Sequence, residues 1–242
     1  MLRAVIMDMD GTLLDSEIVH YHAICDSLKE RTGHELTLAE YLLYCGIPDA
    51  QMWPRILQDL SGRDDSPCHG QFADQQAVCE ETLALKARHW ALYDQYIREH
   101  GAAAFPGVQA LLADLRSIGV KISIATGSYR HIVRSNMEQI GITEYVDAVA
   151  TSEDCERGKP EPDVFLAAAR FLGVDPSECL VVEDSRNGLI GAMRAGMCCA
   201  GFGGSQIPAQ IELAPVTFTD YRTVSAATFV RWYEEQRRGR TP

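Results

Sequence analysis

No stretch of the 242-residue chain is apolar for long enough to span a bilayer, and the N-terminus enters a strand-like segment at once, without the layout of a signal peptide. A membrane span is not expected, and a cytoplasmic location is. Basic residues are in short supply: 22 Lys and Arg face 34 Asp and Glu, a net charge of −12. Such a surface repels polyanions, so neither nucleic acid nor an anionic membrane is an expected partner. An anionic substrate would need a locally positive site. Cysteine is not scarce, with eight residues, but no CxxC pair occurs among them. The spacing offers no zinc site, and buried thiols in a reducing compartment are the expectation. Internal repeats and low-complexity segments are missing, and so are strands between residues 15 and 104.

What remains reads as a soluble globular protein, 46% hydrophobic and 23% charged. Residues 3–9 form a first apolar strand. Helical spacing then predicts helices over 16–32 (N-cap Ser16, stop at Gly33), 37–45 (Thr37 and Glu40 in capping-box positions), 49–60 and 72–100, with a polar loop at 61–71 that carries Cys68 and His69. From residue 105 strands and helices alternate. Helices are expected at 107–118, 129–140, 163–172 and 185–195, and strands at 120–125, 145–150, 179–182 and 197–201. Helices at 207–213 and 223–238 flank a last short strand at 216–219. Repeated β-α units imply an α/β fold with a Rossmann-like parallel sheet and helices on both faces. The expected domains are an α/β core of residues 1–14 and 105–242 and an inserted all-helical domain of residues 15–104.

The first strand runs into Asp8-Met9-Asp10-Gly11-Thr12. Residues two apart on a strand point the same way, so Asp8 and Asp10 can face one site at its C-terminal end, where Gly11 lets the chain turn. Two acids in an apolar wall repel, and Mg²⁺ between them is the natural remedy, since hard cations take carboxylate and carbonyl oxygens. Open parallel sheets bind ligands beyond the carboxyl ends of their strands. Three further groups fall in loops after or between β-α elements: Thr126-Gly127-Ser128, Lys159 and Glu183-Asp184. Alone, each has a plainer reading: a capped turn, a surface lysine, and acids at a helix start. Together they suit phosphoryl transfer. A carboxylate such as Asp8 can attack phosphorus, and Asp10 can protonate the leaving oxygen. Thr126, the 127–128 amides and Lys159 can hold phosphoryl oxygens, while Glu183 and Asp184 complete the metal shell directly or through water.

These residues carry a resemblance to the haloacid dehalogenase superfamily of phosphohydrolases, in its branch with a helical cap inserted after the first strand. Asp8-Met9-Asp10-Gly11-Thr12 resembles the first motif, Ala125-Thr126-Gly127-Ser128 the second and Gly158-Lys159-Pro160-Glu161-Pro162 the third. Val181-Val182-Glu183-Asp184-Ser185, with Gly188 and Gly196, resembles the fourth. The resemblance implies Asp8 as nucleophile, Asp10 as general acid/base, and Mg²⁺ held by Asp8, the Asp10 carbonyl and Asp184. It also implies a cap that swings over the site and a monomer.

Within the superfamily the chain is most similar to sugar-phosphate phosphatases and β-phosphoglucomutases. The mutases carry an arginine shortly after a glycine equivalent to Gly46. Here Ile47-Pro48-Asp49 follows, and the next arginine is Arg55, which argues against a mutase. His20 matches a histidine near the cap hinge. Cys45, Gly46, Trp53 and Arg55 are candidates for substrate contact. The leading expectation is a Mg²⁺-dependent phosphatase of a small phosphorylated metabolite that passes through an aspartyl phosphate on Asp8. A phosphosugar mutase is the alternative. A non-catalytic phospho-Asp switch is disfavoured by the position of Asp8 on the first strand and by the long helical insert.

Overall fold

Six parallel strands form one sheet: β1 (Ala4–Met7), β2 (Lys121–Ala125), β3 (Ala148–Ala150), β4 (Cys179–Glu183), β5 (Cys198–Phe202) and β6 (Thr217–Phe218). Their order is β3-β2-β1-β4-β5-β6. The chain works outward from β1 on one side, then returns to add β4, β5 and β6 on the other. The switch of direction therefore falls between β1 and β4. The computed structural model describes residues 1–44, 47, 49–101, 103–205 and 207–239.

Four helices come before β2 in the insert, α1 (Glu17–Thr32), α2 (Leu38–Tyr41), α3 (Asp49–Ser61) and α4 (Gln75–His100). Five more belong to the α/β part, α5 (Val108–Ser117), α6 (Arg130–Gln139), α7 (Asp163–Leu172), α8 (Arg186–Arg194) and α9 (Ala226–Gly239). The chain divides into two compact units, Met1–Ser16 with Ala102–Pro242, and Glu17–Gly101. Asp15 and Ser16 belong to the first unit, where Ser205 Oγ donates to Asp15 Oδ1 and Ser16 Oγ to Asp10 Oδ1.

In the α/β unit the pleat of each central strand feeds two cores. Val5 and Met7 of β1 and Leu180 and Val182 of β4 pack toward Leu112 of α5, Val133 of α6 and Phe229 of α9. Ala4, Ile6, Cys179 and Val181 pack on the other face toward Val164 and Phe165 of α7 and Leu189 of α8. Each fully buried side chain of this kind contributes ~1.5–3 kcal/mol. Because both faces of β1 are apolar, hydrophobicity alone tolerates a one-residue slip. The polar end resists it, since a slip would turn Asp8 away from Lys159 and leave its carboxylate against the apolar layer of α5, α6 and α9.

The expected helix over 207–213 does not form. Pro208 removes one donor, and the Gln210 amide donates to the Asp184 carbonyl instead of to a helical partner. Ile211 lies over Gly201 of β5, so close that a Cβ there would come within 2.8 Å of it. The segment is held by the sheet rather than by its own ladder. The first strand ends at Met7, short of residue 9, and the 145–150 strand is reduced to β3 behind a 3₁₀ turn at Thr143–Tyr145. The long helix starts at Gln75 rather than 72, because Asp74 caps it while the Phe72 amide goes to Ser61 Oγ.

In the helical unit α4 packs along α1 and α3. Trp53, Leu28, Leu85 and Tyr93 are fully buried there. The expected helix over 37–45 shrinks to α2, and residue 45 lies outside the described residues. Its capping box does form: Glu40 N donates to Thr37 Oγ1, and Thr37 N donates back to Glu40 Oε2 at 2.9 Å. The Thr37 amide first, then Arg63, lowers the Glu40 pKa from 4.5 to about 2. A depressed carboxyl stabilises fully above the unfolded value and loses that contribution as pH falls through the folded one. Glu40→Gln should therefore lower the urea midpoint at pH 6 and converge with the unmodified protein as pH drops from about 4.5 toward 2. A midpoint difference independent of pH would contradict this.

No helix among the described residues is long and apolar enough to cross a membrane. Of the cysteines expected to be buried thiols, Cys68, Cys179, Cys198 and Cys199 are buried, Cys25 and Cys155 are half-buried and Cys79 is exposed on α4; all seven are free, and Cys45 lies outside the described residues.

Candidate active site

β1 and β4 lie side by side in register, with Ile6 opposite Val181 and Met7 opposite Val182. The Asp8 amide extends that ladder to the Val182 carbonyl at 3.0 Å. By parity Asp8 follows Ala4 and Ile6, and Glu183 follows Cys179 and Val181, so both acids face the α7–α8 layer. Asp8 is 6% exposed and Glu183 is 0% exposed. Two neighbouring buried carboxylates need a cation. Lys159 supplies it. Its Nζ donates to Asp8 Oδ1 and Glu183 Oε1, each at 2.5 Å, and to the Ala125 carbonyl at 3.2 Å. All three ammonium protons thus have acceptors. The Phe165 ring centroid lies 5.1 Å from the Nζ.

Burial drives the Asp8 pKa upward, Lys159 opposes it, and the Glu183 and Asp10 carboxylates add to the rise. Burial also works against the charge on Lys159, but Asp8 and Glu183 outweigh it and hold the ammonium above its ordinary range. The upward direction for Asp8 is set first by burial.

Asp10 sits past the end of β1, in a turn rather than on the strand's pleat. The turn is closed by the amides of Leu13 and Leu14, which donate to the Met9 carbonyl, and Gly11 adopts a φ of 73° that suits glycine. Two hydroxyls orient the Asp10 side chain. Ser16 Oγ donates to Oδ1 and Ser128 Oγ to Oδ2, both at 2.6 Å. Thr12 Oγ1 donates to Asp184 Oδ1 at 3.2 Å, and the buried Tyr221 hydroxyl donates to the Thr12 carbonyl at 2.9 Å. Burial, then Asp184 and Asp8, raises the Tyr221 pKa well above 10, so it stays a neutral donor.

These contacts bring the four expected loops together at the C-terminal ends of β1, β2 and β4. Lys159 joins Asp8 to Glu183, Ser16 and Ser128 hold Asp10, and Thr12 reaches Asp184. Thr126 is buried beside them and accepts the Ser128 amide at 3.1 Å, while the space around Gly127 is open. Two residues are placed otherwise than expected. The sequence pattern assigns Ser128 to phosphate, but its hydroxyl is on Asp10 and its amide on Thr126. The pattern assigns Glu183 to a metal, but Oε1 takes Lys159, while Oε2 takes the Ser185 amide and hydroxyl at 3.0 and 2.8 Å. Ser16 reads in the sequence as a helix cap, yet its hydroxyl goes to Asp10. Nothing in the pattern marks that choice, because a serine before a helix is ordinarily a cap.

The helical unit holds the remaining candidates. His20 stacks on Tyr93 with ring centroids 4.2 Å apart and lies 3.1 Å from a ring nitrogen of His89. Arg55 is exposed, 3.9 Å from Asp59 and 5.9 Å from the Tyr44 ring centroid. Cys45 and Gly46 lie outside the described residues.

The donor set fits a hard divalent cation. Asp8, Asp10 and Asp184 offer oxygens only, the ligand type such a cation takes. Among the described residues no three His, Cys, Asp or Glu side chains are grouped so that they could hold a metal ion by themselves.

A parallel α/β sheet with an acid pair after its first strand and a half-buried lysine opposite defines a hydrolase of the kind the sequence motifs resemble. The family model for haloacid dehalogenase-like hydrolases matches residues 2–196, and the chain belongs to that family. The "Putative phosphatase YhcW" of Bacillus subtilis (strain 168) is 32% identical over 199 residues, covering 82% of this chain and 82% of its own. The "Phosphorylated carbohydrates phosphatase" of Thermotoga maritima is 26% identical over 196 residues, 81% of this chain and 82% of its own. The crystal structure of β-phosphoglucomutase from Clostridium difficile matches with a TM-score of 0.75, covering 98% of this chain and 99% of that chain at 23% identity, a likeness of fold.

Proposed function

We propose that the protein is a magnesium-dependent phosphoric monoester hydrolase acting on a small phosphorylated metabolite, with phosphorylated carbohydrates as the first class to test. The observation that carries this reading is Lys159, its side chain 14% exposed, drawn between Asp8 and Glu183 while two serine hydroxyls aim Asp10 beside them. The family and the name of the Thermotoga maritima relative support it.

Asp8 is the nucleophile. Its carboxylate oxygen forms the bond to phosphorus as the bond to the leaving oxygen breaks, which yields an aspartyl phosphate. Asp10 donates a proton to that leaving oxygen and later takes one from the water that attacks the phosphorus, as the bond from phosphorus to the Asp8 oxygen breaks and frees the carboxylate and inorganic phosphate. Each Asp10 oxygen already accepts one hydroxyl and keeps capacity for the transferring proton. Lys159 and the Thr126 hydroxyl, with the Gly127 amide, hold phosphoryl oxygens where charge spreads in the transition state. Glu183 holds Lys159, and Ser128 and Ser16 hold Asp10. Asp8, Asp184 and the Asp10 carbonyl are the residues that would hold magnesium, which supplies charge neutralisation between nucleophile and phosphoryl group. Substrate selection is assigned to the helical unit Glu17–Gly101.

The test is phosphate release over a panel of phosphorylated sugars, sugar acids, nucleotides and short-chain acids, with magnesium and with a chelator. A metal's contribution of several kcal/mol predicts that chelation costs about 10²-fold or more in rate. Turnover unaffected by chelation, or no release from any compound, ends the reading. Sugar-phosphate isomerisation in place of phosphate release would assign a mutase instead.

A further inference from the structure

Helix α8 is nine residues long and carries two glycines in its interior, Gly188 and Gly191. Glycine is a poor helix former. Its usual justification is a left-handed backbone, and neither residue adopts one. Being three apart, they share a face of the helix. What that face meets explains the choice. A Cβ on Gly188 would lie 1.9 Å from both Cδ and Oε1 of Glu183 and 2.3 Å from Oε2. A Cβ on Gly191 would lie 3.0 Å from Cε2 of Phe165 and 3.2 Å from the Glu161 carbonyl. Glu183 and Phe165 are two of the groups around the Lys159 ammonium, one accepting its proton and the other presenting its ring to it.

We infer that Gly188 and Gly191 are positioning residues: their missing side chains make the slot into which Glu183 and Phe165 insert, and so hold Lys159 against Asp8. The kinetic consequence rests on the phosphatase reading; the placement of Lys159 does not. Gly188 is the stricter of the two. A carboxylate can swing away from an added methyl group, but in doing so it leaves both Lys159 and the amide and hydroxyl of Ser185. Lys159 then keeps one carboxylate of its two. At Gly191 the ring and the carbonyl need give way by only a few tenths of an ångström, so its effect is smaller.

The chain has four lysines, Lys29, Lys86, Lys121 and Lys159, so acylation by an N-hydroxysuccinimide ester followed by peptide mass mapping reads each one separately. In the unmodified full chain Lys159 should label most slowly. Gly188→Ala should raise the labelling of Lys159 relative to Lys29 severalfold and lower kcat for phosphate release by on the order of 10²-fold, the usual cost of a misplacement near 1 Å. Glu183→Asp shortens the side chain by one methylene, the room an added methyl needs. In the Gly188→Ala background it should recover about tenfold in kcat, whereas alone it lowers kcat. Gly191→Ala should move both readouts the same way by about two- to fivefold, and it carries the test if Gly188→Ala does not fold. Labelling of Lys159 unchanged in the folded variants overturns the inference, whatever happens to kcat. So does a second substitution at Glu183 that deepens the Gly188→Ala defect. If the unmodified protein releases no phosphate, the phosphatase reading fails while the labelling still decides this one.

Discussion

Asp8→Asn should abolish phosphate release, with kcat reduced by on the order of 10⁴-fold or more, while the protein stays folded. The magnitude follows from removing the group that forms the covalent bond, for which no neighbour can substitute. Asp10 is held by Ser16 and Ser128 in its own place, and Glu183 is engaged by Lys159 and Ser185. Asparagine keeps the size of the side chain and can turn its carbonyl oxygen toward Lys159. It also takes one negative charge out of a cluster in which burial first, and then Glu183 and Asp10, push the Asp8 pKa upward. Thermal unfolding should therefore shift little. The variant should carry no hydroxylamine-sensitive phosphate after incubation with a phosphate donor, whereas the unmodified enzyme should. Retained turnover, or a labelled acyl phosphate on the Asp8→Asn variant, would remove Asp8 from the reaction.

Lys159→Ala should be the most damaging single change to stability, by ~3–5 kcal/mol, the usual cost of removing one partner from a buried charge pair. It leaves Asp8 and Glu183 side by side, nearly inaccessible, with no cation between them. The Ala125 carbonyl also loses its donor. Activity should fall by about 10²–10³-fold from lost stabilisation of phosphoryl oxygens, measured at a temperature where the variant is folded. Removing one of the stranded acids should then help: Lys159→Ala with Glu183→Gln should be more stable than Lys159→Ala alone. Arginine should not rescue, because its planar fork cannot serve three acceptors that converge on a single nitrogen. Urea denaturation of the three variants decides the matter. A Lys159→Ala loss below ~1 kcal/mol, the range of an exposed pair, would mean that the lysine is not structurally committed to these acids.

The two predictions rest on features of unequal visibility in the sequence. Asp8 announces itself, because an apolar strand that ends in alternating carboxylates before a glycine has few other purposes. The β-α alternation after residue 105 is equally plain, since it follows from local periodicity. The Glu183-Asp184 pair is different. Two adjacent acids at a strand end look equivalent on paper, and the pattern assigns both to a metal. The pleat separates them: Glu183 falls on the face shared by Asp8 and α8, where Lys159 and Ser185 occupy its oxygens, and Asp184 falls on the turn, beside Thr12. Ser128 and Ser16 escape local reasoning for a similar reason. A short hydroxyl bonds whatever comes within reach, and its partner here is a carboxylate 118 residues away in one case and six in the other. The segment 207–213 carries a helical pattern that local reasoning accepts, but it runs irregularly against β5, with the Gln210 amide on the Asp184 carbonyl and a turn at 211–214.

From its residues alone the chain determined the order of strands and helices, the all-helical insert, and which loops carry acids, hydroxyls and the lysine. All of these depend on interactions within a dozen residues, where side-chain periodicity and turn chemistry act directly. Tertiary structure decided which oxygen meets which proton. The register of β4 against β1 set Glu183 beside Asp8, and a bare face on α8 left room for it. Such pairings depend on distances between segments far apart in the chain, which strand registry and helix packing fix to a fraction of an ångström and which no local pattern encodes.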